Sequence, residues 1–302
     1  MSDNVLLSEL FPSFEQHKIE VAQGVEIAVS MGGSGPPLLL LHGHPQTHAL
    51  WHRVAPTLSK SYTVIAADLR GYGDSSKPAG GTNHEQYSKR VMAQDQVTLM
   101  KKLGFDRFSI LAHDRGARVA HRLAMDHSGV VERMILLDIA PTLAMYRQTS
   151  EAFARSYWHW FFLIQPTKLP ERSIEADPVA YIHEVMGNRS AGLAPFDQRA
   201  LAEYERCISL EGAAHGVCED YRASAGYDAS NDVSFVSYCG GIPKIPNPFR
   251  YKFSWSPLGV LKALRSPSKS LKDGKDYDVS RPWDAVQSYS LDLGKGAETF
   301  EV

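Results

Sequence analysis

The chain has 302 residues, of which 32 are basic and 34 acidic, giving a formal net charge of −2 with a hydrophobic share of 43%. No tract of clustered Lys and Arg is present, which argues against nucleic acid or an anionic membrane surface as the main partner. No segment approaches the roughly 20 apolar residues of a bilayer span, and the first residues lack a signal-peptide pattern, so we expect a cytoplasmic protein. The histidines are unevenly distributed, since none of the 12 lies beyond His215.

The first half of the chain alternates short apolar, β-branched runs with amphipathic segments. This pattern predicts strands separated by helices and an α/β fold with a mostly parallel sheet. The predicted strands cover 25–31, 37–42, 62–68, 107–112 and 131–137, and helices are predicted over 85–103 and 116–125.

The pattern changes twice after the last of these strands. Residues 141–227 are aromatic-rich and helical in spacing, which predicts a helical cap over the carboxyl ends of the strands; a plain helical extension of the core is the alternative. Residues 229–302 contain 11 serines and 6 prolines and lose the strand and helix periodicity, with one further strand expected near 233–238. We therefore divide the chain into an N-terminal core (1–140), a cap (141–227) and a divergent segment (228–302).

Residues 112–118 (Ala-His-Asp-Arg-Gly-Ala-Arg) stand where a buried strand meets a helix. Small residues on both sides of Asp114 permit the tight strand-to-helix turn called a nucleophile elbow, which in many hydrolases holds a serine. A carboxylate at that position can displace a leaving group from a saturated carbon and form an alkyl ester on the enzyme, which water then cleaves. The alternative is that Asp114 only caps the helix.

Two further segments follow predicted strands. Residues 42–45 (His-Gly-His-Pro) predict a loop in which Gly43 and His44 present backbone N–H groups to an oxyanion or a halide, although a simple Gly-Pro turn would give the same pattern. Asp138 ends the strand after the elbow, where it could orient a catalytic base or cap a turn.

Together the motifs of the chain resemble the α/β-hydrolase fold dehalogenases, and among these the fluoroacetate (haloacetate) dehalogenases. The resemblance covers about residues 8–227. The motifs that carry it are residues 40–47 (LLHGHPQT), 68–75 (DLRGYGDS), 113–118 (HDRGAR), 137–139 (LDI), 159–160 (HW) and 218–222 (CEDYR). The first two occur widely among α/β hydrolases, whereas the third is much narrower, because haloalkane dehalogenases and soluble epoxide hydrolases usually carry Trp at the position of Arg115.

The arginines of the third motif suggest the substrate class. Arg115 and Arg118 lie in the first turn of the predicted helix, and their guanidinium groups could clamp a carboxylate bidentately; surface ion pairs are the alternative. The resemblance further implies that His159, Trp160 and Tyr221 donate hydrogen bonds to the departing halide. Several donors would stabilise fluoride, a poor leaving group, better than one. The other possibility is that the aromatic residues are cap core.

The reaction implied is displacement of halide from a small 2-haloacid by Asp114, then hydrolysis of the ester by water that a histidine, oriented by Asp138, activates. No organic cofactor or metal is expected, and the partner is the small haloacid; family members are often homodimers. In this family the base histidine comes late, but here none follows His215. We therefore expect ester formation to proceed and ester hydrolysis to stall, with at most about one halide released per subunit.

Three alternative functions remain open. The first is epoxide hydrolysis, which normally uses two cap tyrosines, of which the sequence supplies Tyr221. The second is a catalytically impaired or non-enzymatic relative that binds a small acid or a protein, which the missing histidine favours. The third is a metal site on His44, His48 and His52, whose spacing could share a helical face, although Pro45 disfavours a helix there.

The abrupt loss of family pattern near residue 228 suggests a shifted reading frame, a misjoined exon or a cloning artefact; a diverged but genuine C-terminus is the competing explanation. If the frame is shifted, translation past the Tyr227 codon in one of the other two frames will yield strand-like segments and a late histidine. Finding neither feature in either frame would refute a frame shift.

Overall fold

A seven-stranded mixed sheet forms the centre of the protein. The structure is a computed structural model that describes residues 5–139, 142–188, 192–229 and 249–251. The strands are β1 Glu15–Ala22, β2 Val25–Gly32, β3 Pro37–Leu41, β4 Thr63–Ala67, β5 Phe108–His113, β6 Val131–Leu137 and β7 Phe249–Tyr251. Their order across the sheet is β1-β2-β4-β3-β5-β6-β7.

The sheet is parallel from β4 to β7, while β2 runs antiparallel to both β1 and β4. All five predicted strands are observed within a residue or so of their expected limits. Strands such as β3 and β5 could be predicted because they are almost wholly buried and therefore mostly apolar. The strand β1 escaped prediction because it is largely exposed and mostly polar. The strand expected near 233–238 lies outside the described residues.

Eleven α-helices occur in the part of the chain that the structure describes. They are α1 Val5–Leu10, α2 Ala55–Leu58, α3 Lys89–Lys102, α4 Asp114–Asp126, α5 Thr142–Arg147, α6 Glu151–Ser156, α7 Trp158–Leu163, α8 Leu169–Ala176, α9 Pro178–Gly187, α10 Gln198–Ile208 and α11 Ala213–Ala223. The helix predicted over 85–103 begins at Lys89 because the Ser88 side chain caps it, accepting a hydrogen bond from the backbone N–H of Val91 at 3.3 Å. A single 3₁₀ turn, Glu85–Tyr87, precedes it.

The described residues between 142 and 223 are helical as predicted, with α5 to α11 and no strand among them, and their assignment as a cap stays a prediction. Helix α11 packs on α7 and α8, and also on the 3₁₀ turn Glu85–Tyr87 that precedes α3 in the N-terminal core. The helical segment thus contacts the core through α11. None of the described helices combines the length and the apolar character that a membrane crossing requires.

The turn from β5 into α4 places the two elements in very close contact with β3. Asp114, the first residue of α4, adopts a left-handed φ of 45°. Two residues later the backbone N–H of Gly116 donates to the carbonyl oxygen of His42 at 2.8 Å. A Cβ at position 116 would overlap that oxygen and the Leu41 backbone, so only glycine lets α4 approach the end of β3 this closely.

We therefore expect Gly116→Ala to lower the free energy of unfolding by about 2 kcal/mol, because the overlap with rigid backbone outweighs the better helix propensity of alanine. Urea denaturation will measure the change. Gly129→Ala is the matched control, since a Cβ there meets nothing within 4 Å, and it should change stability by less than about 1 kcal/mol. Equal effects of the two substitutions would contradict the packing argument.

Candidate active site

Asp114 stands half-buried at the elbow and faces the loop that follows β3. Its Oδ1 atom accepts a hydrogen bond from the backbone N–H of His44 at 2.9 Å. Gly43 lies against the same side chain, because a Cβ there would be 2.5 Å from the Asp114 Cβ. The elbow after β5 and the loop after β3 therefore meet at the Asp114 carboxylate.

The surroundings of Asp114 keep its carboxylate ionised. Burial by itself raises the pKa of Asp114, but His113, the guanidinium groups of Arg118 and Arg115, and the His44 N–H lower it by more. The resulting pKa lies below the usual value of an aspartate. A side chain that is ionised at neutral pH and lies at the start of a helix is equipped to act as a nucleophile.

Arg115 is completely buried and its guanidinium forms a bidentate ion pair with Asp220 of α11. The Nε atom donates to Oδ2 and the Nη2 atom to Oδ1, both at 2.8 Å. One edge of the Arg115 guanidinium is thus occupied by Asp220, and binding of a substrate carboxylate by Arg115 and Arg118 stays a prediction. Its Nη1 atom is buried and has no hydrogen-bond partner among the described residues.

Asp220 gathers three partners at this point. Besides Arg115, it accepts a hydrogen bond from the Tyr72 hydroxyl at 2.7 Å and pairs closely with the Lys89 ammonium. Burial tends to raise the pKa of Asp220, but the charges of Arg115 and Lys89 hold it well below its usual value. Asp220 belongs to the sequence motif at 218–222, but its role was not predicted, because nothing local indicates that it meets residues more than 100 positions away.

Arg118 lies one turn further along α4 and is also buried. Its Nη1 atom donates to the Thr142 Oγ1 atom at 2.6 Å, and its guanidinium carbon lies 4.9 Å from the centre of the Trp160 ring. The neighbouring Tyr146 packs on Trp160 with a centroid separation of 5.3 Å. Its hydroxyl is buried without a partner among the described residues, and burial raises the pKa of Tyr146 to about 12.

The three residues that the resemblance assigned to the halide lie together. The ring centroids are 6.0 Å apart for His159 and Tyr221 and 5.9 Å apart for Trp160 and Tyr221. Tyr221 also covers the Arg115 guanidinium at 4.2 Å, and the His44 ring lies 5.7 Å from His159. Trp160 and Tyr221 are buried whereas His159 is half-buried, so this aromatic cluster forms a wall that is accessible at one end.

Asp138 follows β6 with a left-handed φ of 48° and is exposed. The charge of Asp138 acts on His113, where it tends to raise the pKa of that imidazole, although burial holds the pKa below its usual value. The late histidine that Asp138 would orient is missing, because no histidine follows His215 in the sequence.

The structure does not support the metal alternative, because the three histidines of the loop have separate partners. The His48 Nδ1 atom bonds Asp68 at 2.8 Å, the His52 Nδ1 atom bonds the Ala49 carbonyl at 2.8 Å, and the His44 Nε2 atom bonds the Tyr181 hydroxyl at 2.9 Å. His44 lies in a loop before the 3₁₀ turn that carries the other two. These imidazoles therefore do not share a helical face.

Comparison with known proteins identifies the fold family. The α/β-hydrolase fold family matches residues 36–165. A fluoroacetate dehalogenase of Burkholderia sp. is 47% identical over 224 residues, covering 74% of this chain and 73% of the relative. The chain belongs to the α/β-hydrolase fold family, in the group that contains the fluoroacetate dehalogenases.

Other similar proteins include an epoxide hydrolase and a putative hydrolase of known structure. A soluble epoxide hydrolase of Corynebacterium sp. (strain C12) is 34% identical over 71% of this chain and 74% of its own length. The crystal structure of a putative α/β hydrolase from Nostoc sp. PCC 7120 superposes with a TM-score of 0.71 at 52% identity, covering 75% of this chain and 78% of that chain. The protein is therefore a hydrolase of this fold.

The C-terminal part of this hydrolase matches a second family, the saccharopine dehydrogenase C-terminal domain, over residues 213–301. Translation in a wrong frame is not expected to reproduce the residue pattern of an established family. The match therefore argues against a shifted frame and favours the joining of a segment from another protein. It begins within α11, somewhat before the expected boundary at 228, and most of it lies outside the described residues.

We expect Asp220→Asn to lower the free energy of unfolding by about 3–5 kcal/mol, because it leaves two buried cations, Arg115 and Lys89, without a compensating charge. Urea denaturation at pH 7 will measure this change. Asp126→Asn removes the partly exposed ion pairs with Arg90 and Arg122 and should cost less than about 1 kcal/mol.

The pH dependence provides a second test of the same pair. Because the pKa of Asp220 is depressed in the folded state, its stabilising effect is present above its unfolded pKa of about 3.9 and is lost as the pH falls through the folded pKa. The stability difference between the unsubstituted protein and Asp220→Asn should therefore shrink below about pH 4. A difference independent of pH would show that Asp220 contributes through packing alone.

Proposed function

We propose that this hydrolase displaces halide from small 2-haloacids, with Asp114 as the nucleophile. The observation that carries the proposal is the juxtaposition of an ionised elbow carboxylate, two buried arginines and an aromatic wall with hydrogen-bond donors. The similarity to a fluoroacetate dehalogenase supports the same conclusion. An ordinary serine hydrolase site would require none of the three features.

The substrate carboxylate would bind between the arginines and Tyr146. The Arg115 Nη1 atom and the Tyr146 hydroxyl are buried donors without a hydrogen-bond partner among the described residues. A buried donor left unpaired costs about 1–3 kcal/mol, so an anion placed between these groups would recover that energy. The positive charge of Arg118 lies beside the same space, because its guanidinium contacts the Trp160 ring on which Tyr146 also packs.

The displacement then follows from the geometry at Asp114. The His44 N–H holds the Oδ1 atom, which leaves the Oδ2 atom to attack the α-carbon of the bound acid. As the new C–O bond forms, the carbon–halogen bond breaks, and the halide leaves with the bonding electron pair. The donors of Trp160, Tyr221 and His159 would stabilise the negative charge that develops on the halide.

Hydrolysis of the ester needs a water molecule to attack the ester carbonyl carbon of Asp114 and to give up a proton. Asp138 lies near the end of the neighbouring strand, but the histidine that it would orient is missing from the sequence. Unactivated water attacks an ester slowly, so the covalent intermediate should accumulate. The expected products are one equivalent of halide and a carboxymethyl ester on Asp114.

Intact mass spectrometry after mixing the protein with fluoroacetate or chloroacetate will test the proposal. We expect the mass increment of one carboxymethyl group, located at Asp114, together with about one halide per subunit. Because the pKa of Asp114 is lowered, the rate of adduct formation should stay nearly constant as the pH falls from 7 to 5. Asp114→Asn, which tolerates the left-handed backbone, should give no adduct.

The outcomes separate the remaining possibilities. Sustained turnover would show that another residue serves as base, while the nucleophile assignment would stand. An adduct that survives Asp114→Asn, or chloroacetate binding without any adduct, would refute the proposal; the second result would favour a non-enzymatic relative.

Epoxide hydrolysis is the second candidate, and one observation favours it. Tyr181 of α9 is a second tyrosine of the helical segment close to Tyr221, since each lies against the His44 ring at 6.0 and 5.1 Å. Two tyrosine hydroxyls could donate to the ring oxygen of an epoxide. The buried arginines oppose this reading because an epoxide has no carboxylate. An adduct with styrene oxide but none with haloacetates would decide in its favour.

A further inference from the structure

The imidazole of His44 lies between the core and the helical segment. Its backbone N–H binds Asp114, while its ring lies 5.7 Å from His159 and 5.1 Å from Tyr221, both from the helical segment. The His159 ring stacks on it with an interplanar angle of 21°. The side chain of His44 is therefore next to the nucleophile and to the residues assigned to the halide.

The hydrogen bonds of His44 indicate which ring nitrogen carries the proton. The Nε2 atom lies 2.9 Å from the Tyr181 hydroxyl, whereas the Nδ1 atom is buried and has no partner among the described residues. If the hydroxyl donates to Nε2, the proton resides on Nδ1 and only that N–H lacks an acceptor. If Nε2 donates instead, both the Tyr181 proton and the Nδ1 lone pair lack partners, which costs more.

The charge of the ring agrees with this assignment. Burial, followed by the neighbouring His159 and opposed by Asp114, holds the pKa of His44 well below its usual value. The ring is thus neutral at neutral pH and carries a single N–H on each molecule. A neutral N–H donor can stabilise an anion without opposing the positive charge of the neighbouring Arg115.

We propose that the Nδ1–H group of His44 is an additional donor to the departing halide, beside Trp160, Tyr221 and His159. The inference rests on the proposed function and assigns to the imidazole a role distinct from that of the His44 backbone N–H. It makes the site suited to fluoride, because a small, hard anion gains more from each added hydrogen bond than bromide does. Tyr181 is then a positioning residue, which fixes the tautomer through Nε2.

Two measurements test the role of the imidazole. Titration of the unreacted protein with sodium fluoride, followed by the fluorescence of Trp160 and the other tryptophans, should show about tenfold weaker binding in His44→Phe, the factor expected for a charge-assisted hydrogen bond. The rate of adduct formation should fall about tenfold with fluoroacetate and less than about threefold with bromoacetate. His44→Asn, which supplies a side-chain N–H, should recover part of both losses.

His17→Phe is the matched control, because His17 lies on β1 at the edge of the sheet with its side chain 38% exposed, and it should leave both measurements unchanged. Unchanged fluoride affinity and an unchanged ratio of the two rates in His44→Phe would overturn the inference. If the unsubstituted protein neither forms an adduct nor releases halide with any haloacetate, the proposed function fails, while the fluoride titration still decides whether His44 binds the anion. Equal losses in His44→Phe and His44→Asn would also overturn the inference, since they would show a packing role.

Discussion

The buried ion pair between Arg115 and Asp220 is the constraint on which the site depends. A guanidinium with no exposed surface is tolerated only when its charge is compensated, and Asp220 supplies that charge and accepts hydrogen bonds from the Nε and Nη2 atoms. Because Arg115 is the second residue of α4 and Asp220 belongs to α11, the pair fixes the helical segment against the elbow. Tyr221, the next residue in α11, is thereby placed over the same guanidinium.

The distribution of charge in the site follows from that pairing. Asp220 neutralises much of Arg115 and Lys89, while Arg118 keeps its charge beside Asp114 and the aromatic wall. Asp114 stays ionised because His113, Arg118 and Arg115 lower its pKa, and the nearby His44 stays neutral because burial and His159 lower the pKa of its imidazole. The site therefore combines an ionised carboxylate, Asp114, with neutral hydrogen-bond donors. Both lie on elements that the Arg115–Asp220 ion pair holds together.

The C-terminal part of the chain extends the sheet but lacks a histidine that the proposed reaction would use. The short strand β7 does pair in parallel with β6, so the sheet continues past the strand that Asp138 follows. The residues beyond α11 nevertheless match the saccharopine dehydrogenase C-terminal domain and contain no histidine. The residues that the proposed displacement would use are present, whereas the histidine that would activate water for ester hydrolysis is absent from the sequence.

Much of the fold and part of the site could be predicted from the sequence, because they depend on local patterns. Buried parallel strands are mostly apolar, so β3 and β5 could be predicted from their sequences. The small residues around Asp114 likewise predicted the elbow. The sequence could not predict that Asp220 pairs with Arg115, or that Tyr181 bonds His44 and favours one tautomer of its ring. Each of these contacts joins residues more than 100 positions apart. The sequence by itself determined which chemical groups this protein has and that a late histidine is missing. Only the tertiary structure decided which of those groups are already paired and which remain available, because burial and hydrogen-bond satisfaction are properties of the packed molecule.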